Sequence, residues 1–258
     1  MKLLAALFLA LAPVAAPTEQ AVISNGHVDL GPRFVDGRWT IQLRDDTAAA
    51  PTWRPLDTVV LQATSKARIA VPNDPAYQFL GKPGQQIWVI PQVQKDGIVW
   101  PGWNTQDPEV ARRVDREVTW TLENVRGPGT FTLFLNSDFG KPSPVFDSRK
   151  QLPQETGIDV NTHVHGNWTF DAEGIYLLDV AMTAKLIDGQ QVTDRRTLRI
   201  YAGDGDARAA AQDAGQEPKR AEPPTQTADD RIQLWWFVVG AGVVLLATTA
   251  VIVIRRRR

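Results

Sequence analysis

The 258-residue sequence predicts an all-β chain, an antiparallel β-sandwich outside the cell carried on one C-terminal transmembrane helix. Three observations lead there. Short stretches of alternating apolar and polar residues recur between about Ala21 and Ala202, no amphipathic helical pattern interrupts them, and a charge-free run ends the chain just before four arginines.

At the start, Met1 and Lys2 lead into LLAALFLALAPVAA, a basic residue ahead of a short apolar run with small residues at Val14 and Ala16. That pattern is a signal peptide cleaved after about Ala16, leaving residues 17–202 as the exported domain. In Arg38–Leu43, Glu117–Leu122 and Thr130–Leu135 every second residue is apolar, the period of a half-buried strand. Thr58–Gln62 and Gln86–Val93 read as strands too, and Ile175–Leu186 and Val192–Tyr201 form a hairpin joined at Asp188-Gly189. About nine to eleven strands follow, enough to close two sheets over one core. Asp171-Ala-Glu-Gly-Ile-Tyr176 ahead of an alternating strand resembles the tyrosine corner of immunoglobulin-like sandwiches; the alternative is a Tyr176 that simply packs in the core, and both give a sandwich.

Residues 203–232 are poor in large apolar side chains and rich in Ala, Asp, Glu, Gln and Pro, the composition of a flexible linker. Leu234–Ile254 (LWWFVVGAGVVLLATTAVIVI) is free of charge, and a helix of about 21 residues reaches about 31 Å, enough to cross the hydrocarbon of a bilayer. The membrane helix is therefore placed at 233–254. Arg255–Arg258 mark the cytoplasmic side, so the topology is single-pass with the N-terminus outside, and Trp235 and Trp236 lie at the outer interface.

Residues 17–232 hold all 29 Asp and Glu but 23 of the 28 Lys and Arg, a formal charge of −6. An acidic exported domain does not bind a phosphate backbone, so no nucleic-acid partner is expected. Cysteine is absent, which removes disulfides, thiolate ligands and cysteine nucleophiles together.

All three histidines fall in two short motifs, Gly26-His27-Val28-Asp29-Leu30 and Thr162-His163-Val164-His165-Gly166-Asn167-Trp168. Residues i and i+2 of a strand project from one face about 6.6 Å apart at Cα. His163 and His165 can thus converge on one ion, Asp29 accompanies His27, and the intervening Val28, Leu30 and Val164 point inward. Three imidazoles with a carboxylate suit zinc or another divalent transition metal. The plainer alternative is a set of polar side chains on an outward sheet face. A second candidate is Val99-Trp100-Pro-Gly-Trp103-Asn104-Thr105, where Trp100 and Trp103 beside Asn104, if exposed, would stack on a sugar ring or a partner surface; the commoner outcome for tryptophan in a sandwich is burial in the core. Neither H-E-x-x-H nor G-x-S-x-G occurs, so no enzymatic activity is expected. Leu152–Gly157 resembles a sortase signal with one residue too many, and the Asn167-Trp-Thr169 triplet lies in a strand-like stretch; both are set aside.

The motifs Gly26-His-Val-Asp-Leu-Gly31, Gln86-Ile-Trp88 with Pro91-Gln92, Trp100-Pro-Gly-Trp-Asn-Thr105, Gly127-Pro-Gly129, Phe146-Asp-Ser148 and Thr162–Trp168 resemble, in number and order, the actinobacterial surface-anchored protein domain, also described as the choice-of-anchor M domain. The similarity covers about residues 24–202. It implies an exported, membrane-tethered accessory of an ABC transporter of the metal-uptake type, with the family's histidine motifs falling on His27, His163 and His165.

Overall fold

The computed structural model describes residues 20–137 and 140–216. In chain order the strands are β1 (Ala21–Ile23), β2 (Gly26–Val35), β3 (Arg38–Asp45), β4 (Thr52–Pro55), β5 (Val59–Ala63), β6 (Arg68–Ala70), β7 (Gln86–Ile90) and β8 (Val99–Asn104). Helix α1 (Pro108–Arg113) precedes β9 (Val114–Arg126), β10 (Phe131–Asn136), β11 (Pro142–Asp147), β12 (Gln154–Asp159), β13 (His163–His165), β14 (Asn167–Phe170), β15 (Gly174–Leu186), β16 (Gln191–Ala202) and helix α2 (Ala207–Gln216). The chain is mostly β-sheet, as expected. There are more strands than expected, in part because β1, β6 and β13 have three residues each and β4 and β14 four, too few for alternation to show.

Three sheets enclose the main core where two were expected. Their orders are β1-β5-β16-β15-β9-β12, β11-β10-β14-β7-β6 and β13-β8-β2-β3-β4. Most neighbours are antiparallel, but β1 with β5, β5 with β16, and β2 with β8 are parallel. Alternation reveals which face of a strand is buried and is silent about its partner, so these pairings left no trace in the pattern.

One apolar cluster joins the inner faces: Val28, Leu30, Leu43 and Trp103 from the third sheet, Trp120, Tyr176 and Leu198 from the first, Phe131, Trp168 and Phe170 from the second. Trp103 and Trp168 flank Trp120 with ring centroids 5.3 and 6.1 Å away. Polar handles fix the layers. The Trp39 indole donates to the Met182 carbonyl at 2.8 Å, tying β3 to β15, and the Trp168 indole donates to Pro101 at 3.2 Å, tying β14 to β8. Tyr176 is fully buried, and its hydroxyl donates to the Ala172 carbonyl at 2.9 Å while accepting from the Ala172 N–H at 3.2 Å, so the expected tyrosine corner is closed.

Among the described residues there are two α-helices, α1 where none was expected and α2 over a stretch whose alanines, Ala207–Ala211, suit at most a transient helix on their own. Asp107 caps α1 by accepting from the N–H groups of Glu109 and Val110, and Pro108 occupies the first turn, where a missing N–H costs nothing. Helix α2 falls at the start of the segment read as linker. Asp206 accepts from the N–H groups of Arg208 and Ala209, and the helix packs Ala207 and Ala211 onto Val60 beside Val22, Ile175 and Tyr201. Small side chains let the helix backbone lie close on the sheet, so the folded unit runs to Gln216 rather than ending at Ala202. The signal-like segment and the run Leu234–Ile254 with its arginines lie outside the described residues. Among the described residues no helix is long and apolar enough to cross a membrane.

Candidate metal centre

The histidines of both motifs lie on the third sheet. Strand β8 is its second strand, parallel to β2 on one side and antiparallel to the edge strand β13 on the other. Register puts Asp29, Gly102 and His165 in one row, His27 beside Trp100, and His163 beside Asn104. Val28 and Leu30 fill the core, so His27 and Asp29 project outward, as the alternation requires. Two neighbouring strand spacings separate β2 from β13 by about 9.6 Å, and side chains from both sides meet above the strand between them. At the meeting point that strand presents Gly102. A Cβ there would stand 2.5 Å from Asp29 Oδ1 and 2.9 Å from His165 Nε2.

Four donor atoms gather over Gly102. Nε2 of His165 is 3.2 Å from Nε2 of His27 and 3.1 Å from Nε2 of His163, while Asp29 Oδ1 is 2.9, 3.4 and 3.8 Å from Nε2 of His163, His27 and His165. All four lie within 4.8 Å of one another. A tetrahedral ion with ligands at about 2.0 Å needs donor separations of about 3.3 Å. These four residues can hold a metal ion.

Neighbouring groups set the donors' chemistry. His27 Nδ1 lies 2.9 Å from Asp46 Oδ2, and a carboxylate only accepts, so Nδ1 carries the proton and neutral His27 turns its Nε2 lone pair into the site. Arg44 holds the other oxygen of Asp46 at 3.0 Å. Asn104 donates to Asp29 Oδ2 at 3.1 Å and its own carbonyl accepts from the Gln106 N–H at 2.7 Å, which fixes the amide orientation and leaves Oδ1 of Asp29 for the cluster. The Trp100 indole stacks flat on His165 with centroids 3.7 Å apart and a 14° interplanar angle, and its Nε1 donates to the Gln92 carbonyl. The hydroxyl of fully buried Thr105 donates to the Asp159 carbonyl and accepts from the Thr162 N–H, positioning the turn that delivers β13.

Hydrogen bonding to Asp29 raises His27 above the ordinary imidazole pKa, against the opposing effect of burial. Burial pushes the Asp29 carboxyl up, but hydrogen bonds from His27 and Asn104 outweigh it and hold the group anionic below its usual range. Burial takes His165 down to about 4, so its ring is neutral at physiological pH. The set then offers a neutral His165 and an anionic Asp29, while His27 becomes a donor once it gives up a proton that it holds more tightly than a free imidazole does.

All four residues expected as ligands thus converge. The tryptophan stretch is a strand, Val99–Asn104, not a loop, and Trp103 takes the buried alternative, 5 % exposed because odd-numbered positions of β8 face the core. Trp100 faces outward but is committed to His165, and buried Asn104 serves Asp29. Gly102 and Asp46 were missed. A hairpin folded about Asp36-Gly37 pairs residues whose numbers sum to 73, which sets Asp46 across from His27, so its signal was present. Gly102 has the weaker signal of a glycine inside a strand, which marks a close approach. The Asn167 triplet is buried within β14.

No family model matches the chain, and no curated protein or solved structure matches it.

Proposed function

We propose that this chain is a non-enzymatic, membrane-tethered cell-surface protein that binds one zinc-like divalent ion through His27, Asp29, His163 and His165. The observation that carries the reading is the set of four donors at near-tetrahedral separations above a glycine. Three nitrogens and one oxygen match the donor preference of zinc, and four protein ligands fill a tetrahedral shell, leaving no position for the activated water that catalytic zinc requires. Anchoring rests on the charge-free run Leu234–Ile254 and its arginine stop, and export on the N-terminal signal pattern. The tyrosine corner supports an immunoglobulin-like sandwich as the fold type. The motif resemblance supports a role as accessory to a metal-uptake ABC transporter, with the cargo held at the outer face of the membrane.

Calorimetric titration of the metal-free full chain with zinc tests the reading. One ion per chain is expected, with affinity falling by more than about 100-fold in a His163→Ala, His165→Ala double variant, beyond the loss that an outer-sphere partner causes. Absence of binding heat, or equal affinity in the double variant, would overturn it.

A further inference from the structure

The four donors are held unequally. The Asp29 side chain is 1 % exposed and anchored by Asn104; His165 is 8 % exposed beneath Trp100; His27 is 21 % exposed with Nδ1 fixed by Asp46. His163 is 33 % exposed. Its Nε2 engages only Asp29 and His165, and among the described residues no group holds its Nδ1. It also stands on a three-residue strand at the open edge of its sheet, paired with β8 alone, two residues after Asn161 at φ +62°.

Resting on the metal reading of this same site, we propose that the bound ion is a cargo to be passed on and that His163 is its exit ligand. An acceptor with nitrogen or oxygen donors approaches from the solvent side and places its first donor pair on the metal. The His163 imidazole leaves with its own pair. No electron changes hands, and the ion stays bound to His27, Asp29 and His165 until the acceptor's further donors displace them in turn. The three less exposed donors prevent loss to water, His27 and Asp29 held by hydrogen bonds and His165, whose buried Nδ1 has no hydrogen-bond partner among the described residues, by the Trp100 stack, while the more exposed His163 on its edge strand allows hand-over on contact. A permanent structural clamp would bury and brace all four.

The two mechanisms differ in kinetic order. In an associative hand-over the acceptor enters the rate law, whereas a clamp releases its ion at a rate set by its own dissociation. The full chain, purified in mild detergent and loaded with one zinc, is mixed with excess 4-(2-pyridylazo)resorcinol at several concentrations, and formation of the coloured zinc complex is followed. A transfer rate rising in proportion to chelator concentration is expected, and His163→Ala, still able to take up zinc, transfers it at least about tenfold faster, as weakened binding shows chiefly in release. A rate independent of chelator concentration, or a His163→Ala chain that either loads no zinc or transfers it no faster than the parent, overturns the exit-ligand proposal while leaving metal binding intact. A parent chain that takes up no zinc overturns the underlying metal reading and this inference with it.

Discussion

A methyl group at position 102 would stand inside the space that an ion about 2 Å from Asp29 Oδ1 and His165 Nε2 requires. Gly102 has an extended backbone that any residue adopts, so it is there for the room it leaves rather than for its conformational freedom. Gly102→Ala is therefore expected to lower zinc affinity by more than about 100-fold, exceeding the cost of losing an outer partner, while the far-ultraviolet circular dichroism of the sheet stays as it was. Tight binding in that variant would contradict the placement of the ion over β8. The protonation states give a second expectation. Only neutral imidazole ligates, and His27 takes up a proton at a higher pH than a free imidazole, so affinity is full well above pH 6.5 and falls as the pH is lowered through the raised His27 value. His165, depressed to about 4, adds no proton competition until far lower pH. Calorimetry between pH 5 and 8 checks this; a flat profile contradicts it.

Local pattern identifies an element when it is long enough to show a period or carries a cap. The β15–β16 hairpin announces itself by alternation and by Asp188-Gly189, and the β2–β3 hairpin by Asp36-Gly37, which even carries the register that brings Asp46 to His27. Helix α1 has six residues, too few for helical periodicity, and only its Asp-Pro-Glu start betrays it. Helix α2 is rich in alanine and polar residues, and it is ordered by the apolar surface of Val60, Val22 and Ile175 that receives it, a surface no local window contains. The tyrosine corner is the opposite case, a side-chain signature tied to a turn. Tyr176→Phe leaves the Ala172 N–H and carbonyl without the hydroxyl that serves both, and is expected to destabilise the domain by about 1–3 kcal/mol, read from the shift in a urea melt. A change within error would mean that the corner contributes nothing.

Across the whole molecule, the segment from β12 to β14 visits all three sheets in seventeen residues, and its middle strand supplies two of the four donors. The other two come from β2, more than a hundred residues earlier in the chain. That His27, Asp29, His163 and His165 share a polar face was legible from i, i+2 spacing in each motif. Their meeting was not, because it depends on β8 entering between them, parallel to one strand and antiparallel to the other, with a glycine at the level of Asp29 and His165. The same long-range pairing turned Trp103 into the core and left Trp100 against His165. The central claim is that one ion sits among these four donors. X-ray absorption at the zinc edge of the loaded full chain tests it most directly. Four nitrogen or oxygen neighbours at about 2.0 Å with the outer-shell scattering of imidazole rings are expected, whereas six oxygen neighbours without imidazole scattering would rule the site out.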